Sequence, residues 1–552
     1  MMKKVLIVGG VATGASAAAR LRRLEENVEI VMFEKGNYIS FANCGLPYYI
    51  GGVIEDREDL LVSTPEMMRE RFNIDVRVNS EVVKVDTESR TVTVVSKEKG
   101  TYEESFDYLV LSPGAKPLTP KIPGIESEKI LTLRNVRDTD KISALANKIK
   151  SAVVIGGGFI GIEMAENLRD KGVEVTLVEA APHILAPFDD DLIRIAEREM
   201  EQKGVVLSLN NGVTSFNEVL DGVEVTLQSG DVVKGDIVIS AIGVTPDTMF
   251  LKDSGIEFGP RGHIITNNRM ETNIKGIYAG GDAVEVVDFV NGTKTAIPLA
   301  GPANKHGRII ADNISGLPTT YKNTQGTSVI KVFDLALAAT GNNERTLNRL
   351  NIDYNVVIIH PNNHASYYPG AKQLTLKLLF NKEGKILGAQ AVGHDGVEKR
   401  IDVIAAVLRM GGTIYDLTEM ELSYAPPFGS AKDPVNFAGY VAENILSGRS
   451  DSVHPRELKN IKDNDNIVIL DVRTNSERKN GHVEGSIHIN VNQLRDNLKE
   501  LDKNKEYWLY CAVGMRAYVA ERMLKQTGFK CKNITGGYKS IEDINFTPKG
   551  LK

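Results

Sequence analysis

The three cysteines are the residues of this 552-residue sequence best suited to redox or nucleophilic chemistry. Cys44, Cys511 and Cys531 are an odd number and are spaced too widely to form a disulfide framework. A lone cysteine that accepts electrons must form a mixed disulfide with substrate, a persulfide or a sulfenic acid. Its partner atom must therefore come from a ligand. The unpaired set also predicts a reducing compartment, and we expect a cytoplasmic protein.

A glycine-rich turn in the middle of the chain indicates a dinucleotide site. Residues 156–161 read GGGFIG, a full GxGxxG between a predicted strand and a predicted helix, with Gly156, Gly158 and Gly161 as its defining glycines. The turn and the start of the helix direct backbone N–H groups at a pyrophosphate. Glu179 ends the next predicted strand, where a carboxylate binds a ribose hydroxyl. We expect NADH or NADPH here, and Glu179 favours NADH because it would repel a 2′-phosphate.

A less regular copy of this turn opens the chain and predicts a second dinucleotide. Residues 9–14 read GGVATG, with Val11 where the fingerprint has its second glycine, and an acidic residue again follows the next predicted strand. A later strand ends in a glycine and an aspartate, which is suited to bind a ribityl or pyrophosphate hydroxyl. The candidate ligands of this cofactor are Gly9, Gly10, Thr13, Gly14, Glu34, Gly281 and Asp282.

Cys511 opens a loop of a different kind near the C-terminus. It follows a predicted buried strand and precedes a predicted helix over residues 515–527, so the loop N–H groups and the helix dipole favour a thiolate. Arg516 adds positive charge. Such a loop can hold a persulfide, or a phosphate in a phosphatase, but a phosphatase loop has five residues between cysteine and arginine. Here there are four, which favours sulfur, and Cys531 is interpreted as structural.

Composition and charge limit the remaining possibilities. The chain is 42% apolar and 25% charged, with a net charge of -6 and a pI near 6.0. Such values give no electrostatic reason to expect nucleic acid or an anionic membrane as partner. No stretch approaches the roughly 20 apolar residues that span a bilayer. The length predicts three or four domains.

Four segments together resemble the pyridine nucleotide-disulfide oxidoreductase superfamily. They are the two glycine-rich turns, the hinge SPGAKP at residues 112–117 and the block YAGGD at residues 278–282. The resemblance implies FAD in the first lobe, NAD(P)H in the second and a homodimer formed through a third domain. The fold class is then α/β, with two Rossmann-like dinucleotide-binding domains, an α+β dimerisation domain and a C-terminal α/β domain. The expected boundaries are 1–112 and 245–321 for FAD, 113–244 for NAD(P)H, 322–445 for dimerisation, 446–455 for a linker and 456–552 for the last domain.

The segment around Cys44 reads SFANCGLPY and resembles the single-cysteine branch of that superfamily, which includes coenzyme A-disulfide reductase, NADH peroxidase and NADH oxidase. Two alternatives follow. In one, the Cys44 thiolate attacks a disulfide or persulfide, and electrons from FAD then reduce the resulting adduct between Cys44 and the substrate sulfur. In the other, Cys44 passes through sulfenic acid while it reduces peroxide or oxygen.

Charge placement favours the first alternative, because coenzyme A carries phosphates and peroxide does not. Arg20 and Arg23 lie three apart on the first predicted helix and could bind a phosphate together. Resemblance to the coenzyme A-disulfide reductase family implies further contacts with coenzyme A. The implied set is Ser16, Arg20, Arg23, Ser40, Asn43, His306 and Lys432, with Arg71 at a position where the family can carry Lys.

The third domain is expected to contribute tyrosines and no metal ligands. Resemblance implies that Tyr367 (or its neighbour Tyr368) and Tyr424 reach across the dimer to the sulfur site, where a phenol could protonate a leaving thiolate. The histidines of this region lack Cys, Asp or Glu at ligand spacing, so we expect no metal site. These histidines are His360, His364 and His394.

Three blocks near the C-terminus resemble a single rhodanese domain. They are ILDVR at residues 469–473, GHVEGSIHIN at residues 481–490 and YCAVGMR at residues 510–516. The resemblance implies that Cys511 and Arg516 handle a persulfide. The expected function is NAD(P)H-dependent reduction, through FAD and Cys44, of coenzyme A disulfide or persulfide. The alternatives are an NADH oxidase or peroxidase, and a rhodanese unit that serves only for docking.

Overall fold

The structure is a computed structural model that describes residues 3–461 and 464–550. They form two units, one of residues up to 182 and 208–326, the other of residues 183–207 and from 327 on. Residues 1 and 552, the outer bounds of the predicted first and last domains, lie outside the described part. No helix in that part is both long and apolar enough to cross a membrane.

In the first unit, the first glycine loop follows the central strand of a five-stranded parallel sheet. That strand, Lys4–Val8, is a continuous apolar run after its lysine and is buried at four of five positions, as is typical of parallel strands covered on both faces. Leu6 pairs with Val31 on one side and Leu109 on the other. The strands lie in the order Ile277–Ala279, Tyr108–Leu111, Lys4–Val8, Glu29–Phe33 and Asp75–Arg77.

The second glycine loop follows an equivalent strand in a second parallel sheet of the same unit. Val153 of that strand pairs with Thr176 on one side and Val238 on the other. The two loops therefore occupy corresponding positions, as the repeated sequence pattern predicts. The strands of this sheet within the first unit are Glu174–Val178, Ser151–Ile155, Ile237–Ser240 and Ile130–Leu131.

A helix follows each glycine loop. Ala12–Leu24 follows the first and packs along Ala300–Ile314. The approach is close, since a Cβ on Gly307 would lie 2.4 Å from the carbonyl oxygen of Thr13. The other helices of the unit are Leu46–Gly51, Pro65–Phe72, Val136–Ala146 and Phe159–Asp170, with 3-10 turns at Asn43–Gly45, Arg57–Leu60, Met249–Leu251 and Gly281–Ala283.

Antiparallel strands are attached to both sheets of the first unit. Two sets are three-stranded meanders with alternating buried and exposed positions, and two are strand pairs. The meanders are Ser80–Asp86, Thr91–Ser96 and Gly100–Ser105, and Val213–Val219, Gly222–Leu227 and Val232–Gly235; the pairs are Ala115–Pro117 with Val244–Pro246, and Val286–Val287 with Lys294–Thr295.

The second unit contains an antiparallel sheet with helices packed on it. Its central strand Ile386–Gly393 is buried at every position, so this sheet also lies inside. The strands lie in the order Ser328–Val332, Leu335–Gly341, Ile386–Gly393, Thr375–Phe380 and Asn355–Ile359. The other elements are Asp190–Gln202, Val205–Ser208 at the boundary of the units, Glu344–Arg349, Val397–Arg409, Ile414–Glu419 and Pro434–Leu446.

The C-terminal module of the second unit is a parallel sheet flanked by helices. Residues 446–455 were predicted to be a linker, but Ser452–Val453 within them forms the edge strand of this sheet. It pairs with Lys530–Ile534. The strands lie in the order Ser452–Val453, Lys530–Ile534, Glu506–Tyr510, Ile467–Asp471 and Ile487–His488. The helices are Asn475–Lys479, Met515–Gln526 and Gly537–Asn545, with 3-10 turns at Pro455–Ile461 and Leu498–Glu500.

A buried ammonium group connects these parts of the second unit. Lys377 Nζ is fully buried and lies 3.0, 2.8 and 2.8 Å from carboxylate oxygens of Asp189, Asp191 and Glu344. His454 and Arg456, which lead into the C-terminal module, contact Asp191 and Glu344 in turn. Burial alone lowers the pKa of Lys377, but the three carboxylates outweigh it and raise that pKa. Lys377 therefore stays charged and holds three segments distant in sequence together.

We predict that Lys377→Met strongly destabilises the protein, because it leaves three carboxylates buried without their cation. Breaking such a buried cluster costs about 3–5 kcal/mol. The matched control is Lys382→Met in the turn that follows strand Thr375–Phe380, where the lysine is 87% exposed and its ion pair contributes roughly 0–1 kcal/mol. Chemical unfolding of both variants measures the difference, and equal losses would contradict this role of Lys377.

Candidate functional site

The first glycine loop is shaped so that side chains are excluded at two positions. Gly9 has φ +94°, and a Cβ on it would lie 2.1 Å from the carbonyl oxygen of Ser112. A Cβ on Gly14 would lie 1.9 Å from the carbonyl oxygen of Gly9. The backbone at this turn is therefore open to close approach by a phosphate at the start of helix Ala12–Leu24.

Glu34 stands beside this loop. One carboxylate oxygen accepts a hydrogen bond from the Gly10 N–H at 3.0 Å, and the other accepts from the Gly36 N–H at 2.8 Å. Glu34 and Gly9 line a cavity of about 320 Å³ together with Lys35, Pro113 and other residues. A carboxylate fixed at the mouth of a glycine turn suits a ribose hydroxyl, so these residues fit the adenosine part of FAD.

The strand end at residues 280–282 faces the same helix. A Cβ on Gly280 would lie 2.8 Å from Thr13 Cγ2, and the Thr13 hydroxyl donates to the Ala303 carbonyl at 2.9 Å. Asp282 lies 3.8 Å from Arg134 Nη2, and burial raises the pKa of its carboxyl. The structure thus brings Thr13 and the Gly280–Asp282 turn together, as expected for one cofactor site.

The second glycine loop repeats the geometry of the first. A Cβ on Gly161 would lie 1.9 Å from the carbonyl oxygen of Gly156, whereas a Cβ on Gly158 would meet nothing within 4 Å. Glu179 accepts hydrogen bonds from the Gly157 N–H at 2.6 Å and the Ala181 N–H at 2.7 Å. This carboxylate is fixed beside the turn, where it can bind a ribose hydroxyl of a nicotinamide nucleotide.

Cys44 is the exposed residue of the 3-10 turn Asn43–Gly45. The turn leads directly into helix Leu46–Gly51, whose Pro47 lies in the first helical turn, where proline is tolerated. The neighbours Leu46 and Pro47 are buried. A thiol on a turn anchored in this way is accessible to a ligand while its backbone stays fixed.

The surroundings of Cys44 are acidic. Although the residue is exposed, surrounding protein atoms partly desolvate the Cys44 thiol and raise its pKa, and the charges of Glu163 and Asp282 raise it further. Burial and the neighbouring Glu166 raise the pKa of Glu163 to about 7. Tyr48 is hydrogen-bonded to Glu163. The protein therefore places a carboxyl that titrates near neutral pH beside the thiol.

Sequence reasoning missed Glu163, and it named Tyr48 only as part of the cysteine motif. Glu163 lies on helix Phe159–Asp170, which follows the second glycine loop. The signal was present, since Glu163 and the buried Glu166 interrupt an otherwise apolar helix face, where acidic residues are uncommon. Their relation to Cys44 is tertiary and does not follow from spacing.

Several residues predicted to bind coenzyme A meet along helix Ala300–Ile314. Arg20 forms an ion pair with the buried Asp312 at 2.8 Å, and the Ser16 hydroxyl donates to Asn304 at 2.5 Å. Arg20 is therefore held by a carboxylate that the sequence did not suggest. Ser40 is partly buried with φ +47°, while Arg23 and Arg71 are exposed, and within the described part of the chain no hydrogen bond or ion pair joins them to the others.

Two further predicted residues carry buried polar atoms without a partner among the described residues. These atoms are Asn43 Oδ1 and His306 Nε2. His306 Nδ1 accepts from the Gly281 N–H at 3.1 Å, so its Nε2 carries the proton. Burial and Lys305 lower the pKa of His306 to about 4, which keeps the ring neutral. An unpaired acceptor and an unpaired donor are what a polar ligand would satisfy.

The predicted tyrosines lie on the second unit. The hydroxyls of Tyr367 and Tyr424 are 2.9 Å apart. Tyr368 instead makes an edge-to-face contact with His364, with ring centroids 5.6 Å apart. The structure therefore pairs Tyr367, and not its neighbour, with Tyr424. Lys432 is exposed on the same unit.

The Cys511 loop has the geometry expected of a sulfur carrier. Cys511 is buried, and its Sγ accepts a hydrogen bond from the Gly514 N–H at 3.1 Å. Arg516 is hydrogen-bonded to Cys511 but also binds Glu477 through both terminal nitrogens, at 2.9 and 2.5 Å. Arg516 lowers the pKa of Glu477 to about 2. Glu477 was not anticipated from the sequence.

Cys531 and the three histidines of the third domain have packing roles. Burial raises the pKa of Cys531 to about 12, and its thiol donates to the Glu521 carbonyl. His360 is buried between Thr375 and Ser540. His364 and His394 contact backbone carbonyls. None of these side chains lies in a cluster of acidic or cysteine ligands among the described residues.

Two nucleotide-binding sheets and an exposed cysteine between acidic groups define a nucleotide-dependent oxidoreductase. Residues 3–307 match the pyridine nucleotide-disulphide oxidoreductase family, and residues 327–434 match its dimerisation domain. The chain belongs to this family. Residues 454–543 match the rhodanese-like domain. The expected fold class is thereby confirmed.

Individual relatives and solved structures cover between 80% and 99% of the chain. A coenzyme A disulfide reductase from Staphylococcus epidermidis is 38% identical over 447 residues, which is 80% of this chain and 100% of the relative. The reduced CoADR-RHD of Bacillus anthracis superposes with a TM-score of 0.96 at 51% identity, over 99% of this chain and 98% of that one. A NAD-dependent persulfide reductase from A. fulgidus gives a TM-score of 0.91 at 35% identity, over 97% of this chain and 99% of that one.

We predict that Glu163→Gln lowers the pKa of the Cys44 thiol, because it removes a nearby negative charge. The effect grows above about pH 7, where Glu163 is ionised. Measuring the alkylation rate of Cys44 by iodoacetamide against pH gives the thiol pKa. Glu174→Gln, at the exposed first position of the strand that follows the Glu163 helix, is the matched control. An unchanged alkylation profile in Glu163→Gln would contradict the electrostatic coupling.

Proposed function

We propose that this chain is an FAD-dependent NAD(P)H reductase of coenzyme A disulfide and coenzyme A persulfide, with a C-terminal rhodanese domain that carries persulfide sulfur. The observation that carries the proposal is the Cys44 site. Cys44 is exposed and is the single cysteine of its unit, and among the described residues neither the adjacent Asn43 Oδ1 nor His306 Nε2 has a hydrogen-bond partner. Its sulfur partner must therefore arrive on a polar ligand.

The two glycine loops supply the cofactor sites of this reaction. Residues Gly9, Gly10, Thr13, Gly14, Glu34, Gly281 and Asp282 would hold FAD, and Gly156, Gly158, Gly161 and Glu179 would hold NAD(P)H. FAD held by these residues would supply the two-electron chemistry that links hydride from NAD(P)H to reduction of sulfur. The fixed Glu179 carboxylate supports a preference for NADH, since it would repel a 2′-phosphate.

The sulfur chemistry at Cys44 is thiol–disulfide exchange. The ionised Cys44 sulfur attacks one sulfur of coenzyme A disulfide, a mixed disulfide forms and one coenzyme A thiolate leaves. Two electrons then cleave the mixed disulfide and release the second thiol. With coenzyme A persulfide the products are coenzyme A and hydrogen sulfide. Glu163, whose carboxyl titrates near neutral pH, is suited to exchange the protons that these steps require.

The phosphates and amides of coenzyme A have candidate partners on the first unit. Arg20, Arg23 and Arg71 carry the positive charges, and Ser16 and Ser40 carry hydroxyls. Neutral His306 offers its Nε2 proton, and Asn43 offers its carbonyl oxygen. Lys432 is a further proposed contact, from the dimerisation domain.

A homodimer is part of the proposal. The dimerisation domain exposes aromatic side chains that a monomer would normally bury, among them Tyr367 at 74%, Phe428 at 71% and Tyr424 at 48%. Exposed apolar groups of this size mark an interaction surface. In a dimer, the Tyr367–Tyr424 pair would reach the partner's sulfur site and donate a proton to a leaving thiolate. The three free cysteines support a reducing, cytoplasmic setting.

We predict that Cys44→Ser abolishes release of coenzyme A from coenzyme A disulfide, because serine forms no mixed disulfide. Bleaching of bound flavin by NADH should continue, since hydride transfer does not need the thiol. Stopped-flow absorbance and a thiol assay measure the two steps, with Cys531→Ala as the control cysteine variant. Wild-type turnover that is as fast with peroxide or oxygen as with coenzyme A disulfide would favour an NADH peroxidase or oxidase instead.

We predict that Tyr424→Phe lowers kcat for coenzyme A disulfide by about 100-fold, which is typical of losing a general acid. KM should change little, because the ring still packs. Tyr415→Phe, another exposed tyrosine of the same unit, is the matched control. Steady-state kinetics measures both constants, and a wild-type kcat in Tyr424→Phe would exclude a proton-donating role.

A further inference from the structure

The tyrosine pair of the second unit is placed by the loops that carry it. Tyr367 and Tyr424 are both exposed, so packing of their own rings does little to fix them, yet their hydroxyl oxygens lie 2.9 Å apart. Tyr367 lies between strands Asn355–Ile359 and Thr375–Phe380, and Tyr424 lies in the segment that precedes helix Pro434–Leu446. Exposed side chains on loops ordinarily change rotamer freely. The separation of the two hydroxyls therefore depends on what holds the two loops.

One buried guanidinium connects these loops. Arg400 lies on helix Val397–Arg409 and is 2% exposed. Its Nη2 donates to the Asn363 carbonyl at 2.9 Å and to the Asp433 carboxylate at 3.0 Å, while its Nη1 donates to the Gly396 carbonyl at 3.0 Å. Asn363 belongs to the Tyr367 loop, and Asp433 ends the Tyr424 segment. The planar fork of arginine suits such simultaneous bonds.

Asn363 closes the loop that carries Tyr367. Its N–H donates to the Lys372 carbonyl at 2.9 Å, and its Oδ1 accepts from the Lys372 N–H at 3.0 Å. Asn363 is itself buried. The carbonyl that Arg400 binds therefore belongs to the residue at the base of the loop, where a small shift moves everything beyond it.

Asp433 anchors the segment that carries Tyr424. Its Oδ1 accepts from the Val435 N–H at 3.0 Å and caps helix Pro434–Leu446, which leaves Oδ2 for Arg400. The two loops also meet directly, because the Ala365 N–H donates to the Gly429 carbonyl at 2.9 Å. The loops are thus joined once by backbone and once through the buried ion pair.

From this geometry we infer that Arg400 is a positioning residue for the reduction of sulfur: with Asp433, it fixes the two loops so that the phenol pair can protonate the leaving thiolate. The inference rests on the proposed function, in which Tyr367 and Tyr424 act at the sulfur site. Arg400 is buried and acts only through the loops. A buried ion pair adds little net stability over apolar packing, so its role here is to fix which groups lie together.

The step that depends on this geometry is the departure of coenzyme A. The ionised Cys44 sulfur attacks one sulfur of coenzyme A disulfide, a bond forms between these two sulfurs, and the S–S bond of the substrate breaks. The coenzyme A thiolate takes the proton of the Tyr424 phenol, and water reprotonates the phenolate. The hydrogen bond with Tyr424 raises the pKa of Tyr367. Tyr367 therefore keeps its own proton and can stabilise the phenolate by donating to it.

The test compares two leaving groups in single turnovers of the full-length, FAD-loaded protein with Cys44 as the free thiol. Coenzyme A disulfide releases coenzyme A, whereas the mixed disulfide of coenzyme A and thionitrobenzoate releases thionitrobenzoate, a weakly basic thiolate that leaves without a proton. We expect Arg400→Lys to slow release of coenzyme A by roughly 10- to 100-fold, as misplacing a reacting group does, and to leave release of thionitrobenzoate unchanged. Equal slowing of both, or of neither, would overturn the inference.

A core variant of the same helix is the matched control. Ile404 lies one turn after Arg400 and is fully buried, so Ile404→Ala removes core packing but no hydrogen bond of the two loops. Melting temperatures of both variants report the loss of stability. We expect Ile404→Ala to release coenzyme A at the wild-type rate. Slowing as selective as that of Arg400→Lys would show that lost stability alone is the cause.

Asn363→Ala approaches the same connection from the loop and carries the test if Arg400→Lys does not fold. It removes the acceptor of the Lys372 N–H but leaves the pair of Arg400 and Asp433 in place. We expect the same selective slowing of coenzyme A release, because the base of the Tyr367 loop is loosened. Unchanged release of coenzyme A from Asn363→Ala would contradict the dependence on loop position.

A double variant separates positioning from a general defect. Adding Arg400→Lys to Tyr424→Phe should slow release of coenzyme A no further, because the group that Arg400 positions is already gone. A further loss as large as that in the wild-type background would refute the inference. If the wild-type protein releases no coenzyme A, the proposed function fails; if it does and Arg400→Lys matches it, only the positioning role fails.

Discussion

The buried charge of Lys377 is the constraint on which the second unit depends. Its ammonium group lies among Asp189, Asp191 and Glu344, which come from a helix start and from the antiparallel sheet region. His454 and Arg456 extend the same network to the C-terminal module. A buried cluster of this kind adds little net stability compared with apolar packing, but each member becomes indispensable once the others are present. The arrangement therefore fixes which segments lie together.

The module is held against the sheet by uncharged contacts as well. The Ile358 N–H donates to the Thr535 hydroxyl at 2.8 Å, and His360 Nε2 lies 2.8 Å from the Ser540 hydroxyl. Burial lowers the pKa of His360 to about 4, so this contact does not change charge near neutral pH. Together with the Lys377 network, these contacts make the module part of the same rigid packing and not a tethered appendage. The Cys511 loop is thus presented in one orientation relative to the sheet.

Local sequence patterns predicted the parts of the protein that depend on local geometry. The glycine loops are constrained by contacts within a few residues, such as Gly14 against Gly9, and the Cys511 loop is likewise continuous in sequence. The Lys377 network was not predictable, because Lys377 and Asp191 are 186 residues apart. The pairing of Ser452–Val453 with the module's sheet escaped prediction for the same reason, since a two-residue edge strand is defined by its partner.

The same reasoning explains why the polar atoms that recognise a substrate were only partly anticipated. Asn43, His306 and Asn533 are unremarkable in sequence, and their significance comes from burial without a partner among the described residues. The unpaired acceptors are Asn43 Oδ1, in the turn that holds Cys44, and Asn533 Oδ1, in the C-terminal module, and the unpaired donor is His306 Nε2. His306, for example, is held by the Gly281 N–H, 25 residues away, so its unpaired nitrogen could not be predicted from local spacing.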